Sequence, residues 1–155
     1  DRQKRSAFHF ALQMIGNRED ALDLLQEGFL RLHREWQKRD RGRDPAPWLY
    51  AIIRNLAIDL LRRRSTRGEC DLDPLSAASG NAGPDAIAIR NEVSARLWDE
   101  IAALPLLQRE AVILRDWHGL SYAQIAEVTG ASTALVTARL HDARTALRKR
   151  MRKYL

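Results

Sequence analysis

The stretch "GLSYAQIAEVTGAS", Gly119 to Ser132, constrains this chain more than any other. It is mostly small and apolar, yet it lies between two heavily charged segments. Ser121 and Ser132 are each suited to cap a helix N-terminus, and Gly119 and Gly130 to end one with a left-handed residue. The spacing predicts a short helix over about Tyr122 to Val128 and a longer one from about Thr133 toward Arg152. Only Thr129, Gly130, Ala131 and Ser132 separate them. A link so short, with glycine in it, forces a sharp bend, which is helix-turn-helix geometry. Ala123 and Ala126 permit close approach of the two helices, so the stretch is a packing joint that fixes the angle of the helix after it.

The rest of the chain must then be compatible with a helical module. Its 155 residues suffice for one ordinary domain or two small ones. Apolar residues make up 45% and charged residues 30%, with few alternating or aromatic runs, and this combination predicts an all-α protein. No apolar run approaches a membrane span. No secretory signal precedes Asp1, and a single Cys70 forms no internal disulfide, so a reducing cytoplasm is expected. Cys70 reads as an ordinary free thiol. With no CxxC pair and no ligand spacing among His9, His33, His118 and His141, neither a metal nor a cofactor is expected. No carboxylate cluster or nucleophile–base pair suggests a catalytic residue.

Charge is more informative in its distribution than in its sum of +6. Lys and Arg outnumber Asp and Glu 15 to 9 over residues 1–68 and 10 to 6 over residues 96–155, whereas residues 69–95 carry 1 against 5. Two basic lobes therefore flank an acidic middle, a pattern suited to two separated contacts with a polyanion, most simply nucleic acid. For either lobe alone, a basic surface that merely keeps the protein in solution is an adequate account.

Residues Arg67 to Asp85, "RGECDLDPLSAASGNAGPD", lack helical periodicity and are rich in Gly, Ser, Ala, Pro and Asp. They predict a flexible linker, with one domain over residues 1–66, the linker over 67–84 and a second domain over 85–155. Before the linker, helices are expected at about Gln3–Ile15, Arg18–Trp36 with Asn17 as cap, and Pro47–Arg64. Ala21, Leu25, Gly28, Phe29, Leu32 and Trp36 form the buried stripe of the second. Trp48, Leu49, Ile52, Ile53, Leu56 and Leu60 form that of the third. After the linker come helices at about Pro84–Ala103 and Pro105–Trp117, then the helix-turn-helix pair.

The outward faces carry the chemistry. Along the last helix Val136, Leu140, Ala143, Leu147 and Met151 form an inward seam, which leaves Thr133, Thr137, Ala138 and His141 facing away. A recognition helix reads base edges with its N-terminal residues, and small hydroxyl side chains suit that close approach. Farther along, Arg139, Arg144, Arg148, Lys149, Arg150, Arg152 and Lys153 are placed to neutralise phosphates. Taken alone, that tail equally well complements the helix dipole; joined to a helix-turn-helix it favours nucleic-acid binding. On the third helix Asn55, Asp59, Arg62 and Arg63 share one face, which by spacing alone reads as a solvated surface with an Asp59–Arg63 ion pair. On the second, Asp20, Asp23 and Glu27, with Gln26 beside them, form an acidic ridge. The ridge either complements the helix dipole or docks a basic protein partner.

Taken in order, "EDALDLLQEGFLRLHREW", "PWLYAIIRNLAIDLLRRR" and "LPLLQREAVILRDWHGLSYAQIAEVTGASTALVTARLHDARTALRKRM" resemble the extracytoplasmic-function (ECF) sigma factors of the sigma-70 superfamily. The likeness covers most of the chain outside the linker. It implies a dissociable, non-catalytic subunit of RNA polymerase, with one helical domain that reads the promoter minus-ten element as unwound single strand and another that reads the minus-thirty-five element as duplex. The implied partners are promoter DNA, the beta-prime clamp and beta flap of the polymerase core, and an anti-sigma factor covering the same surfaces. By motif, Asp20, Asp23, Gln26 and Glu27 would face the clamp. Asn55, Asp59, Arg62 and Arg63, with Arg41 and Arg43 of the loop Asp40 to Pro47, would serve the minus-ten element, Asn55 lining a pocket for an unstacked base. Ser132, Thr133, Thr137, Ala138 and His141 would face the minus-thirty-five bases, with Arg139, Arg144 and Arg148 nearer the backbone. Two features depart from the family pattern: "DRGRDPAP" contains no aromatic residue, and Asp142 stands where a basic side chain is common.

Overall fold

A computed structural model describes residues 2–36, 38, 42, 44–66 and 92–154. Within them the chain forms α1 (Arg2–Ile15), α2 (Arg18–Trp36), α3 (Ala46–Thr66), α4 (Glu92–Ala102), α5 (Leu106–Val112), α6 (Tyr122–Thr129) and α7 (Thr133–Met151). Helix α5 runs on into a π-turn, Ile113–Trp117, and α7 ends in a 3₁₀ turn, Arg152–Tyr154. No strand occurs among the described residues. The all-α expectation holds, and the helix bounds fall within a few residues of those the periodicity predicts. The exception is α4, whose expected start near Pro84 lies outside the described residues, as do Cys70 and the whole of the expected linker.

The N-terminal lobe is a three-helix bundle. Asn17 caps α2 by accepting from the Asp20 amide at 3.2 Å. Gly28 lets α2 approach α3 closely: a Cβ there would lie 3.1 Å from Cγ1 of Ile53. The expected stripes are buried or half-buried, and Phe10, Leu12, Met14 and Ile53 fill the centre. The Asp59–Arg63 pair is not among the ion pairs of the described residues; Arg64 instead reaches across to Asp20 on α2.

In the C-terminal lobe, α5 and α7 pack together and α6 lies against both α7 and the π-turn. The capping reading holds at atomic detail. Ser121 Oγ accepts from the Gln124 amide while the Gln124 side chain accepts from the Ser121 amide, a reciprocal capping box. Ser132 Oγ accepts from the Leu135 amide. Gly119 and Gly130 both adopt positive φ, at 69° and 73°. Val136, Leu140, Ala143 and Met151 are buried and Leu147 is half-buried, which is the inward seam of α7.

The sequence suggested two modules joined only by a tether. In the structure they share one core: α3 packs against α6, α1 touches the π-turn, and a continuous apolar cluster runs from Ala7 to Ala143. Helix α3 is consequently buried on two sides, which is why Tyr50, Ala57 and Ile58, outside its predicted stripe, are also enclosed.

Candidate nucleic-acid interface

Helix α7 spans about 28 Å at 1.5 Å per residue, and its N-terminal half is the exposed end of the helix-turn-helix. Ser132, Thr133, Thr137, Ala138 and His141 are all exposed, and Arg139 is half-buried at their edge. A major groove about 12 Å wide admits such a helix. The Ser132 hydroxyl is engaged as the cap, and the Thr137 hydroxyl donates to the Thr133 carbonyl at 2.9 Å, leaving its lone pairs and methyl group outward. Leu135, 44% exposed on the same end, was not singled out from sequence. An apolar residue inside the first turn of a recognition helix is the signal that would have found it, since such side chains contact thymine methyl groups.

The basic residues divide. Arg148 is exposed, whereas Arg144 is held by Asp116 of the π-turn at 2.8 Å and so braces α7 against the preceding element. Asp142 is exposed and forms no ion pair among the described residues, so it stays a local source of repulsion toward phosphate.

On α3 the face Asn55, Asp59, Arg62 and Arg63 is exposed throughout. Asn55 Oδ1 accepts from Nη1 of Arg54 at 3.3 Å. Arg41 and Arg43 lie outside the described residues. On α2 the acidic ridge is only partly free: Asp20 is tied to Arg64, and Glu27 pairs with Arg31 at 3.0 Å. Asp23 and Gln26 are exposed, and Asp23 forms no ion pair among the described residues. Next to the ridge, Leu22 and Leu30 are about half exposed and line a shallow groove with Leu25 and Phe29.

Sequence reasoning missed the polar groups between the lobes. The Arg54 guanidinium forks onto Glu110 of α5, Nε to Oε2 at 2.8 Å and Nη2 to Oε1 at 3.1 Å. The Glu110 side chain is fully buried and that of Arg54 is 16% exposed. Burial pushes the Glu110 carboxyl up, while Arg54, Arg139 and Arg109 pull it back toward the ionised form that the bidentate fork requires. Arg109, itself buried, donates to the Ala102 carbonyl at 3.4 Å, and its burial lowers it to about 10, so it remains charged at neutral pH. A second bridge runs through His118, with Nδ1 2.9 Å from the Tyr50 hydroxyl and Nε2 2.9 Å from Oε1 of Gln13. Since Gln13 Oε1 only accepts, Nε2 carries the proton and Nδ1 accepts from the tyrosine hydroxyl. Glu110 was detectable in principle: it sits at helical spacing from Leu106, Ile113 and Leu114, so its carboxylate lies on the apolar side and needs a buried partner.

Comparison with known proteins places this geometry. The Sigma-70 region 2 family model matches residues 1–67, and the Sigma-70, region 4 model matches residues 94–147. The ECF RNA polymerase sigma factor SigL of Mycobacterium tuberculosis is 34% identical over 148 residues, covering 91% of the chain and 80% of SigL. The chain belongs to the ECF sigma factors of the sigma-70 family. ECF RNA polymerase sigma factor SigE of Mycolicibacterium smegmatis is 35% identical over 95% of the chain, which spans only 58% of that relative's length; SigW of Bacillus subtilis is 29% identical over 98% of the chain and 86% of its own. Among solved structures, the sigma factor RpoE in complex with the anti-sigma factor NepR from Bartonella quintana matches with a TM-score of 0.79 at 23% identity, covering 97% of this chain and 92% of that one. CnrH in complex with the cytosolic domain of CnrY matches with a TM-score of 0.62 at 23% identity over 93% of this chain and 77% of that one. These two likenesses carry the fold of both ECF lobes. No helix among the described residues is long and apolar enough to cross a membrane, and no His, Cys, Asp and Glu group among them is arranged to hold a metal.

Proposed function

We propose that the chain is a specificity subunit of RNA polymerase that directs promoter-specific initiation. It has no catalytic centre of its own and works in the cytoplasm under the control of an anti-sigma factor. The observation that carries this reading is the pairing, in one chain, of a capped helix-turn-helix with an exposed reading face and a second lobe with an exposed Asn55–Arg63 face, the lobes matching sigma-70 regions 4 and 2. The proposed units are residues 1–66 and 85–155, joined through 67–84.

The roles follow the exposed chemistry. Thr133, Thr137, Ala138 and His141 read minus-thirty-five base edges, with Arg139 and Arg148 on phosphates. Arg144 acts mainly as a brace. Asn55, which offers both donor and acceptor, receives an unstacked minus-ten base, flanked by Arg62 and Arg63 on the backbone. Holding a flipped base offsets an unstacking cost of a few kcal/mol and so couples reading to melting. Asp23 and Gln26, the free part of the acidic ridge, face the polymerase clamp; the partners are then polymerase core, through clamp and flap, and promoter DNA.

Core polymerase supplemented with this chain should start transcripts at a defined promoter, and an intact chain that produces none refutes the role. Asn55→Ala should impair initiation on duplex templates more than on pre-melted ones; equal impairment removes the base-capture assignment.

A further inference from the structure

Within the apolar contact between the lobes lie two buried polar links. Glu110 of α5 clasps Arg54 of α3, and His118 bridges Gln13 of α1 to Tyr50 of α3. Phe10, Tyr50 and His118 pack edge to face around that bridge, with ring centroids 5.2–5.7 Å apart. Beside it a pocket of about 480 Å³, lined in part by Ser6, Tyr50, His118 and Gln124, opens on the seam. Interfaces between domains of one chain commonly resemble transient ones and separate unless they are large and hydrophobic.

Promoter geometry requires that they separate. Elements centred about 25 base pairs apart lie roughly 85 Å apart on B-form DNA at about 3.4 Å per pair. A compact chain of this length has a radius of gyration of about 15 Å and is roughly 40 Å across. The closed molecule therefore cannot occupy both elements, although residues 67–91, fully extended at about 3.4 Å each, reach about 85 Å. The clasp also bears on base reading: the guanidinium held by Glu110 donates to Asn55, the proposed base-capturing side chain.

We propose that this seam is an intrachain latch: Glu110 closing on Arg54, and His118 bridging Gln13 to Tyr50, hold the lobes shut and must release before both promoter elements are engaged. The latch needs no partner protein. Its inhibitory consequence rests on the proposed promoter role, while its existence does not. In the open chain the Arg54 guanidinium is freed to approach a phosphate, and Asn55 loses its intrachain donor.

The test is small-angle X-ray scattering of the full chain alone at neutral pH, with circular dichroism to follow helicity. Wild type should give a radius of gyration near 15 Å, and Glu110→Gln should raise it to roughly 20 Å or more at unchanged helix content. Should Glu110→Gln lose helicity, the double variant Gln13→Ala/Tyr50→Phe, which removes the second bridge and spares the aromatic ring, decides the question by the same measure. An expanded wild type, or helical variants as compact as wild type, would overturn the latch. In a second arm, the opened variant should bind core polymerase at least about fivefold more tightly, because the apparent affinity of the closed chain is reduced by its open fraction. Opening with unchanged core affinity overturns the inhibitory role alone. If no variant and no wild type binds core or initiates, the promoter reading fails while the scattering result stands on its own.

Discussion

Acidification offers a direct probe of the seam. Burial, and next the nearby charge of His9, lower His118 from the usual histidine value of 6.5 to about 4. Tyr50 and Gln13 are its hydrogen-bond partners and Phe10 packs on its ring, and none of these groups is a carboxylate that would stabilise the imidazolium. The folded value is depressed, so the contribution to stability is fully present above about pH 6.5 and is lost as pH falls toward 4. The loss is about 1.4 kcal/mol at pH 5.5, where most carboxylates are still ionised, and about 3 kcal/mol by pH 4. With a urea m-value of about 2 kcal/mol/M, the unfolding midpoint should drop by roughly 0.7 M between pH 7.5 and pH 5.5. His118→Gln keeps a side chain that both donates and accepts but does not titrate, and in that variant most of the drop should vanish. The other histidines are common to both proteins and cancel in the comparison. An equal drop in wild type and His118→Gln would refute the reasoning.

Other substitutions test other joints. Gly28→Ala gains up to about 1 kcal/mol of helix propensity but drives a Cβ to 3.1 Å from Ile53, so thermal melts should show a change between zero and about 1 kcal/mol of destabilisation, whereas Gly28→Val should cost at least about 2 kcal/mol. Ser121→Ala and Ser132→Ala should each cost about 1 kcal/mol, with amide exchange accelerated first at Gln124 and Leu135 respectively, whose amides lose their acceptors. Asp23→Lys should weaken core polymerase binding without lowering the melting temperature, whereas Asp20→Ala should lower it through loss of the Arg64 pair.

Local signals in the sequence carried far. Serine before an apolar run and glycine after it located α6 and the start of α7, because capping depends on residues within four positions of each other. Periodicity found the stripes of α2 and α3 for the same reason. The seam was illegible because its determinants are distant: Arg54 and Glu110 are 56 residues apart, and Gln13 and His118 are 105 apart. The π-turn at Ile113–Trp117 hid a further part. A helix continued at 3.6 residues per turn sets a different direction for His118 from the wider turn that ends there, and composition gives no hint of the change. The family resemblance assigned Asn55 and Asp23 to partners but said nothing of Arg54 and Glu110, which answer to this chain's own packing.

The account stands or falls on one promoter being held at two places in two states of strandedness. Permanganate probing of unpaired thymines, combined with a nuclease footprint on a promoter bound by core polymerase and this chain, measures both at once. Reactive thymines at the minus-ten element together with protection of duplex at the minus-thirty-five element is the predicted result. Duplex protection with no unpaired thymine, whether or not polymerase is present, would contradict it and leave a protein that binds double-stranded DNA alone.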